Sequence, residues 1–596
     1  MVNLTIDGQK ISVKEGTTIM EAAKTAGIHI PHLCYLKGIN EISACKVCMV
    51  EIEGKQKMVT ACSTPVAEGI VVFTNSPRAR KIRRTNVELI LSQHDCKCAI
   101  CVRSGNCSLQ TLAGHLGIYD IPFKEQVVDI PWNQDFPIIR DSKKCIKCMR
   151  CVQICDKVQG IGVWDIQNTG AYTTISTTGN KSIECTDCTM CGQCITHCPV
   201  GALKERNDLP QVYDALADPS KITVIQIAPA VRTAWLERLD MPDGIDSEGR
   251  LVAALKKVGF DYVLDTTFAA DVTIMEEGTE LLKNLEKKSS EDLPMFTSCC
   301  PGWINYVTKK HPELLPYVST TKSPQQIFGA LIKTYFAEKK GVNPEDIYSI
   351  SVMPCVAKKG EAEGFDMRNN GIPDVDLVLT TRELVKLLRA ERIDPVPLKE
   401  EPFDSPIGEG TGAGVIFGVT GGVMEAALRS AYILATGKEI DVDAFDGIRN
   451  VKEELFPDAS QHSGVSFERN GTAEEKTHYA ARKEISVEIN GRTVKACVVS
   501  GLGNVEKLIT QLKNGEVHYD FVEVMACPGG CVSGGGQPIH DGEEWGCRRG
   551  NKLYSLDKNR VLRRSHENPD VKKLYDEFLG EPLSEKSEAL LHIQHK

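Results

Sequence analysis

Thr297-Ser298-Cys299-Cys300-Pro301-Gly302-Trp303, Met353-Pro354-Cys355-Val356-Ala357-Lys358-Lys359 and Met525-Ala526-Cys527-Pro528-Gly529-Gly530-Cys531 carry the cysteines around which the chain is organised. None of the three has the tight spacing of a simple iron–sulfur motif. Brought together, they supply four thiolates, Cys300, Cys355, Cys527 and Cys531, to one buried cluster. Adjacent side chains of an extended segment point opposite ways, so Cys299 is poorly placed to share the site with Cys300. A buried, hydrophobe-like cysteine is the ordinary alternative for Cys299.

Around these stretches, from about Leu209 onward, strand and helix patterns alternate. Residues 222–228, 262–264, 347–353 and 375–380 read as strands, and residues 251–258 and 382–390 as helices. Such alternation implies an α/β domain with partly parallel sheets. The glycines at 529–530 and 534–536 would let backbone come close to a cofactor. Gly408-Glu409-Gly410-Thr411-Gly412-Ala413-Gly414 lacks a preceding strand and an immediate helix, so it reads as a cofactor-facing loop and not as a dinucleotide site. Residues 454–485 read as a polar insertion, and the tail from about Lys572 as a mobile helical segment.

Upstream, Cys145-x2-Cys148-x2-Cys151-x3-Cys155 recurs as Cys188-x2-Cys191-x2-Cys194-x3-Cys198-Pro199. This is the bacterial ferredoxin run, in which the fourth cysteine of each run serves the other cluster. One cubane is therefore expected on Cys145, Cys148, Cys151 and Cys198, and a second on Cys188, Cys191, Cys194 and Cys155; Cys185 is out of phase. Nearer the start, residues 3–13 alternate around Asp7-Gly8 as a hairpin, residues 17–26 read as a helix and residues 47–52 as a strand. Spanning them, Cys34, Cys45, Cys48 and Cys62 suit a 2Fe-2S cluster, with a structural zinc site as the competing reading. A helix over 77–93 then leads to His94-x3-Cys98-x2-Cys101-x5-Cys107, where spacing leaves either His94 or Cys96 as the fourth ligand of a 4Fe-4S cluster.

A chain of 596 residues exceeds one core and implies several domains. The net charge of −10 carries no long single-sign block, which argues against nucleic acid as a partner. With no basic region followed by an apolar run at the start, and no stretch near the roughly 20 apolar residues of a membrane helix, the 24 cysteines read as metal ligands in a reducing cytoplasm.

The three late motifs closely resemble the signature motifs of iron-only (FeFe) hydrogenases, and the order of cysteine modules resembles the larger clostridial-type enzymes. That resemblance implies a multidomain α+β and α/β chain. Its parts would be a β-grasp 2Fe-2S ferredoxin domain at 1–78, a histidine-ligated 4Fe-4S module at 79–125 and a two-cubane ferredoxin domain at 126–208. A two-lobed H-cluster domain would follow at 209–565, with a small-subunit-like helical tail at 566–596. The cofactors implied are one 2Fe-2S cluster, three accessory 4Fe-4S clusters, and an H-cluster joining a 4Fe-4S unit to a diiron subsite with CO, CN and azadithiolate. His94 is favoured over Cys96, because the module is also similar to one in the large iron–sulfur subunit of respiratory complex I.

By the same resemblance Cys531 bridges cubane and diiron subsite, and Cys299 exchanges protons there. Lys358 hydrogen-bonds a cyanide. Met353, Met525, Ser323, Gln325, Phe417, Gly418, Ala228 and Pro229 line the pocket. Protons would run through Cys299, Glu277, Ser319 and Glu280; on pattern alone, two glutamates at i,i+3 usually form a solvated face. Where the family path often ends at an arginine, this chain has Asn284. The implied reaction is reversible reduction of protons to dihydrogen. Electrons would pass to ferredoxin or to flavin- and NAD(P)-binding partner subunits, and maturation proteins would build the diiron half. A non-catalytic electron-transfer subunit would lack the three late motifs. An iron–sulfur-assembly relative would not keep Cys299, Lys358 and Glu277 together, and a hydrogen sensor would usually add a signalling domain.

Overall fold

The structure is a computed structural model that describes residues 1–239, 241, 247–287, 293–438, 482–489, 491–541 and 543–595. The chain divides into two compact units, residues 1–186 with 193–204, and residues 187–192 with 205–596.

In the first unit, Val2–Ile6 and Gln9–Val13 form the expected hairpin. Asp7 and Gly8 both take positive φ, 46° and 85°, the geometry a two-residue hairpin turn requires. Val71–Phe73 adds parallel to the first strand, and Met49–Ile52 and Val59–Thr60 complete a five-stranded sheet. Helix Ile19–Thr25, capped by the Thr18 hydroxyl, lays Ile19, Ala22 and Ala23 on the sheet residues Ile6, Val50 and Val72. Helix Pro77–Leu91 follows, capped by Ser76.

The second unit contains two four-stranded sheets. One is wholly parallel, with Ile222–Ile227 and Ile347–Met353 at its centre and Tyr262–Asp265 and Leu377–Thr380 at its edges. Its central strands are almost wholly buried, as expected of a parallel sheet covered on both faces. In the other, Phe521–Met525 lies parallel between Met295–Phe296 and Arg492–Ser500, and Arg482–Ile489 pairs antiparallel at the edge.

Three expectations need correction. The segment beyond Lys572 is packed, not loose, because Leu574, Tyr575, Leu579, Leu590 and Leu591 are buried in a core cluster with Phe268, Phe328 and Phe336. At the glycine-rich stretch a short helix, Gly412–Val415, begins at once behind the Thr411 cap. Its glycines serve packing: a Cβ would lie 2.1 Å from Thr267 Oγ1 at Gly410 and 2.2 Å from Asp557 Oδ1 at Gly412. Of the expected insertion at 454–485, residues 454–481 lie outside the described residues, and Arg482 starts the edge strand instead.

Candidate active site

All three cysteine motifs begin where a strand ends. Met295–Phe296 runs into Thr297–Cys300, Ile347–Met353 into Pro354-Cys355, and Phe521–Met525 into Ala526-Cys527. The parallel strands of both sheets thus deliver their carboxyl ends, the usual ligand-binding edge of such sheets, to one place. Cys300 caps helix Pro301–Lys310, and Cys531 opens a 3-10 turn.

Glycines lock the motifs together. A Cβ at Gly302 would lie 2.8 Å from Ala526 Cβ, and one at Gly534 2.1 Å from the Pro354 carbonyl oxygen. Gly536 N donates to that same carbonyl at 2.8 Å. In these glycine flanks backbone meets backbone. Gly530, at φ 89°, leaves no room for a side chain beside Val419 and Thr420.

Thiols converge as a result. Ala526 N donates to Cys300 Sγ at 3.4 Å. Burial pushes the Cys531 thiol up to about 12, and the charge of Cys300 opposes its ionisation further. Cys355 and Cys527 are raised by burial first, then by the other cysteines of the set. Cys299, Cys300, Cys355 and Cys531 stay partly accessible although Thr297, Ser298, Pro354 and Ala526 beside them are buried, as side chains around an internal hollow would be. Four thiols packed where ionisation is costly fit a soft metal centre that takes up thiolate charge. Met525 and Phe417 share an apolar cluster with Cys299 and Cys300, whereas Met353 and Ala228 belong to the core of the parallel sheet. Pro229 and Gly418 are buried, and a Cβ on Gly418 would meet Leu553 and Ala230.

Lys358 is a buried lysine. Its ammonium donates to the Cys299 carbonyl at 3.3 Å and to both oxygens of Glu361, at 2.8 and 3.1 Å. Burial opposes its charge, but Glu361 outweighs that and holds the ammonium above its ordinary value. Glu361 also accepts from Ser323 Oγ and Gln325 Nε2, at 3.1 and 3.0 Å. Sequence reading missed Glu361, although its i,i+3 spacing from Lys358 on one helix was an available signal.

Glu277 and Glu280 lie on one face of helix Thr267–Lys287. Glu277 is fully buried; one oxygen accepts from Ser298 N at 3.4 Å, and the other has no partner among the described residues. Burial, then the charge of Glu280, raises its carboxyl to about 8. Burial, then Glu277, raises Cys299 well above a free thiol. Glu280 accepts from Ser319 Oγ at 2.6 Å and Thr320 N at 3.3 Å. Asn284 turns away, its amide donating to Met295 Sδ at 3.4 Å.

In the first unit, Cys34, Cys45, Cys48 and Cys62 are all buried, with Cys48 and Cys62 sulfurs 3.3 Å apart. Ser43 Oγ lies 3.4 Å from Cys62 Sγ, on a loop where Ser43 and Lys46 are left-handed. His94 is buried and its Nδ1 meets the Lys144 carbonyl at 3.0 Å, which leaves Nε2 as the nitrogen available to a ligand role. Burial lowers its pKa, favouring the neutral ring that ligation needs. Cys96 is exposed, with its sulfur 3.4 Å from the His94 carbonyl. Cys98, Cys101 and Cys107 are half-buried. Cys145, Cys148, Cys151 and Cys198 line a single cavity with Arg140 and Trp164. Cys155 and Cys194 are buried in the first unit; Cys188 and Cys191 fall in the second. Cys185 is exposed.

Comparison with known proteins then decides the family. Residues 221–535 match the family described as iron only hydrogenase large subunit, C-terminal domain. Over its whole length the chain is 44% identical to the NADP-reducing hydrogenase subunit HndD of Solidesulfovibrio fructosivorans, covering 99% of that protein. The chain belongs to the iron-only hydrogenase family. This hydrogenase is also 37% identical, over all of both chains, to iron hydrogenase 1 of Clostridium pasteurianum. A solved FeFe-hydrogenase HydA1 from Chlamydomonas reinhardtii is 40% identical, with a TM-score of 0.55, over 65% of this chain and 98% of that one. Further matches are a 2Fe-2S cluster binding domain at 1–77 and an NADH-ubiquinone oxidoreductase-G iron–sulfur region at 83–122. A ferredoxin-like domain of NADH-quinone oxidoreductase subunit 3 matches 137–204, and an iron hydrogenase small subunit 546–596. The hydrogenase is an oxidoreductase that interconverts protons and dihydrogen, with iron–sulfur clusters carrying electrons to an H-cluster domain. Among the described residues no helix is long and apolar enough to cross a membrane.

Proposed function

We propose that this chain is the hydrogen-activating subunit of an NAD(P)- or ferredoxin-linked hydrogenase assembled with flavin- and nucleotide-binding partner subunits. The full-length match to an NADP-reducing hydrogenase subunit supports the partner class. The convergence of three strand-end cysteine motifs supports the site, and that observation carries the reading. Cys300, Cys355, Cys527 and Cys531 would hold the H-cluster, whose iron supplies the reversible joining of two protons and two electrons as dihydrogen.

The chain's own residues bind, exclude water and move protons. Cys299 presents an uncharged thiol, kept so by burial and by Glu277. Glu277, protonated below about pH 8, can hand its proton toward Cys299 and be reprotonated from the outer side. Ser319 links outward to Glu280. Lys358, steadied by Glu361, offers a donor at the pocket wall. Met353, Met525, Phe417, Ala228, Pro229 and Gly418 contribute an apolar lining, and Ser323 and Gln325 its polar edge. For the accessory clusters, Cys34, Cys45, Cys48 and Cys62 would hold 2Fe-2S, and His94, Cys98, Cys101 and Cys107 one 4Fe-4S. The two ferredoxin runs would hold two more, Cys145, Cys148, Cys151 and Cys198 sharing one cavity. Free cysteines throughout support a reducing, cytoplasmic setting.

Hydrogen-dependent reduction of a viologen, under anaerobiosis and with maturation proteins co-expressed, tests the reading beside C299A. Activity lost in the variant supports it; equal activity in both removes Cys299 from the reaction. Adding NADP and ferredoxin to the pure chain tests the partner: ferredoxin reduction alone would favour a free-standing enzyme.

A further inference from the structure

The outer end of the proton path lies against the last described segment of the chain. Lys322 N donates to the Leu591 carbonyl, and Ile593 N to the Thr320 carbonyl, both at 2.8 Å. These two bonds zip residues 591–593 onto the loop that carries Ser319. Buried Glu276, one residue before Glu277 and on another helix face, anchors the segment. It accepts from Tyr575 and Ser587 hydroxyls at 2.5 Å each, from Leu583 N at 2.8 Å, and meets His592 Nε2 at 3.1 Å. The other His592 nitrogen meets Thr320 Oγ1 at 2.8 Å, so both sides of that ring are committed to holding the segment.

His595 is held differently. Its Nε2 meets the Ser319 carbonyl oxygen at 2.9 Å, on the residue whose hydroxyl donates to Glu280. Among the described residues its Nδ1 makes no hydrogen bond, and the ring is half-buried. The charged groups that face it are Glu280 and Asp366, both favouring the imidazolium. Asn284, at the position where the family path often has an arginine, donates to Met295 Sδ.

We propose that His595 is the outer proton-exchanging group of the path, a positioning residue that passes protons between solvent and Glu280. This rests on the Cys299–Glu277–Ser319–Glu280 reading. In the proton-reducing direction the imidazolium gives one proton to the Glu280 carboxylate, and the neutral ring takes one from solvent. Only N–H and O–H bonds change. Because histidine titrates near neutrality and arginine does not, turnover acquires a pH limb that an arginine cap would not give. Burial opposes the imidazolium and places that limb below the ordinary histidine value.

Two measurements on the full chain test this. In turnover, H595A should lose several-fold in rate, regain it with added imidazole, and lose the acidic pH limb; H595R should keep rate without the limb. In histidine-labelled protein, the His595 ring resonance, assigned by its loss in H595Q, should titrate at lower pH in E280Q than in the parent. Unchanged pH profiles in all His595 variants, or a midpoint indifferent to E280Q, would overturn the proposal. A lower melting temperature with no imidazole rescue would make the residue structural only, which also overturns it. Full activity in E280Q and C299A would instead bring down the path reading itself.

Discussion

The Cys527 thiol points at the backbone carbonyl of Cys191, 3.8 Å away. Cys527 is a proposed ligand of the H-cluster and Cys191 a proposed ligand of an accessory cubane. The contact exists because Gly192, at φ 73°, and Gly535 meet backbone to backbone; a Cβ on Gly535 would fall 2.3 Å from the Cys191 oxygen. G535A should push this loop away, costing about 1–3 kcal/mol of stability as overpacking does. Rapid-mixing spectroscopy should then show slower reduction of the accessory clusters by hydrogen. Unaltered kinetics would mean that electrons leave by another route.

Glu277 carries the sharpest pH dependence. Its carboxyl titrates near 8 in the folded chain, against the ordinary 4.5. Between those values the folded state holds a proton that the unfolded state lacks, so this residue's contribution to stability falls as pH rises through that window. E277Q should flatten the decline in melting temperature between about pH 4.5 and 8. The same variant should lower hydrogen turnover about 100-fold or more, the size of a lost proton-transfer group. A parallel decline in parent and variant would place the titration elsewhere.

Removing the Glu361 carboxylate leaves Lys358 charged, buried and unpaired. E361Q should cost about 3–5 kcal/mol, read as a fall in melting temperature, because one half of a buried ion pair is left behind. Replacing both as K358M/E361M should recover part of that stability while activity stays low. Recovery of activity would mean that Lys358 is only structural.

His94 and exposed Cys96 make opposite predictions. C96S should leave the iron content and the paramagnetic spectra unchanged, and H94A should lose the iron of one cluster. H94C should keep the iron but lower that cluster's reduction potential, since thiolate brings a negative charge where imidazole is neutral. Loss of iron in C96S would reverse the assignment.

The candidate ligand cysteines, the two ferredoxin runs, the hairpin at Asp7-Gly8 and the α/β alternation were legible in the sequence, because spacing and periodicity are local properties that a single strand or loop must satisfy. Glu277 and Glu280 were legible only as a pair on one helix face; nothing local says that one is buried without a full set of partners and the other bonded to Ser319. Glu361, Glu276 and His595 acquire their roles from neighbours more than thirty residues away in most cases, as Ser323 and Tyr575 show. The glycines marked only where close approach occurs, since a small residue permits it without naming what approaches. Sequence by itself therefore determined which thiols this protein presents as candidate ligands for iron. Only the tertiary structure decided which carboxylates are dry, because burial depends on the whole chain packed around a group and on no pattern within it.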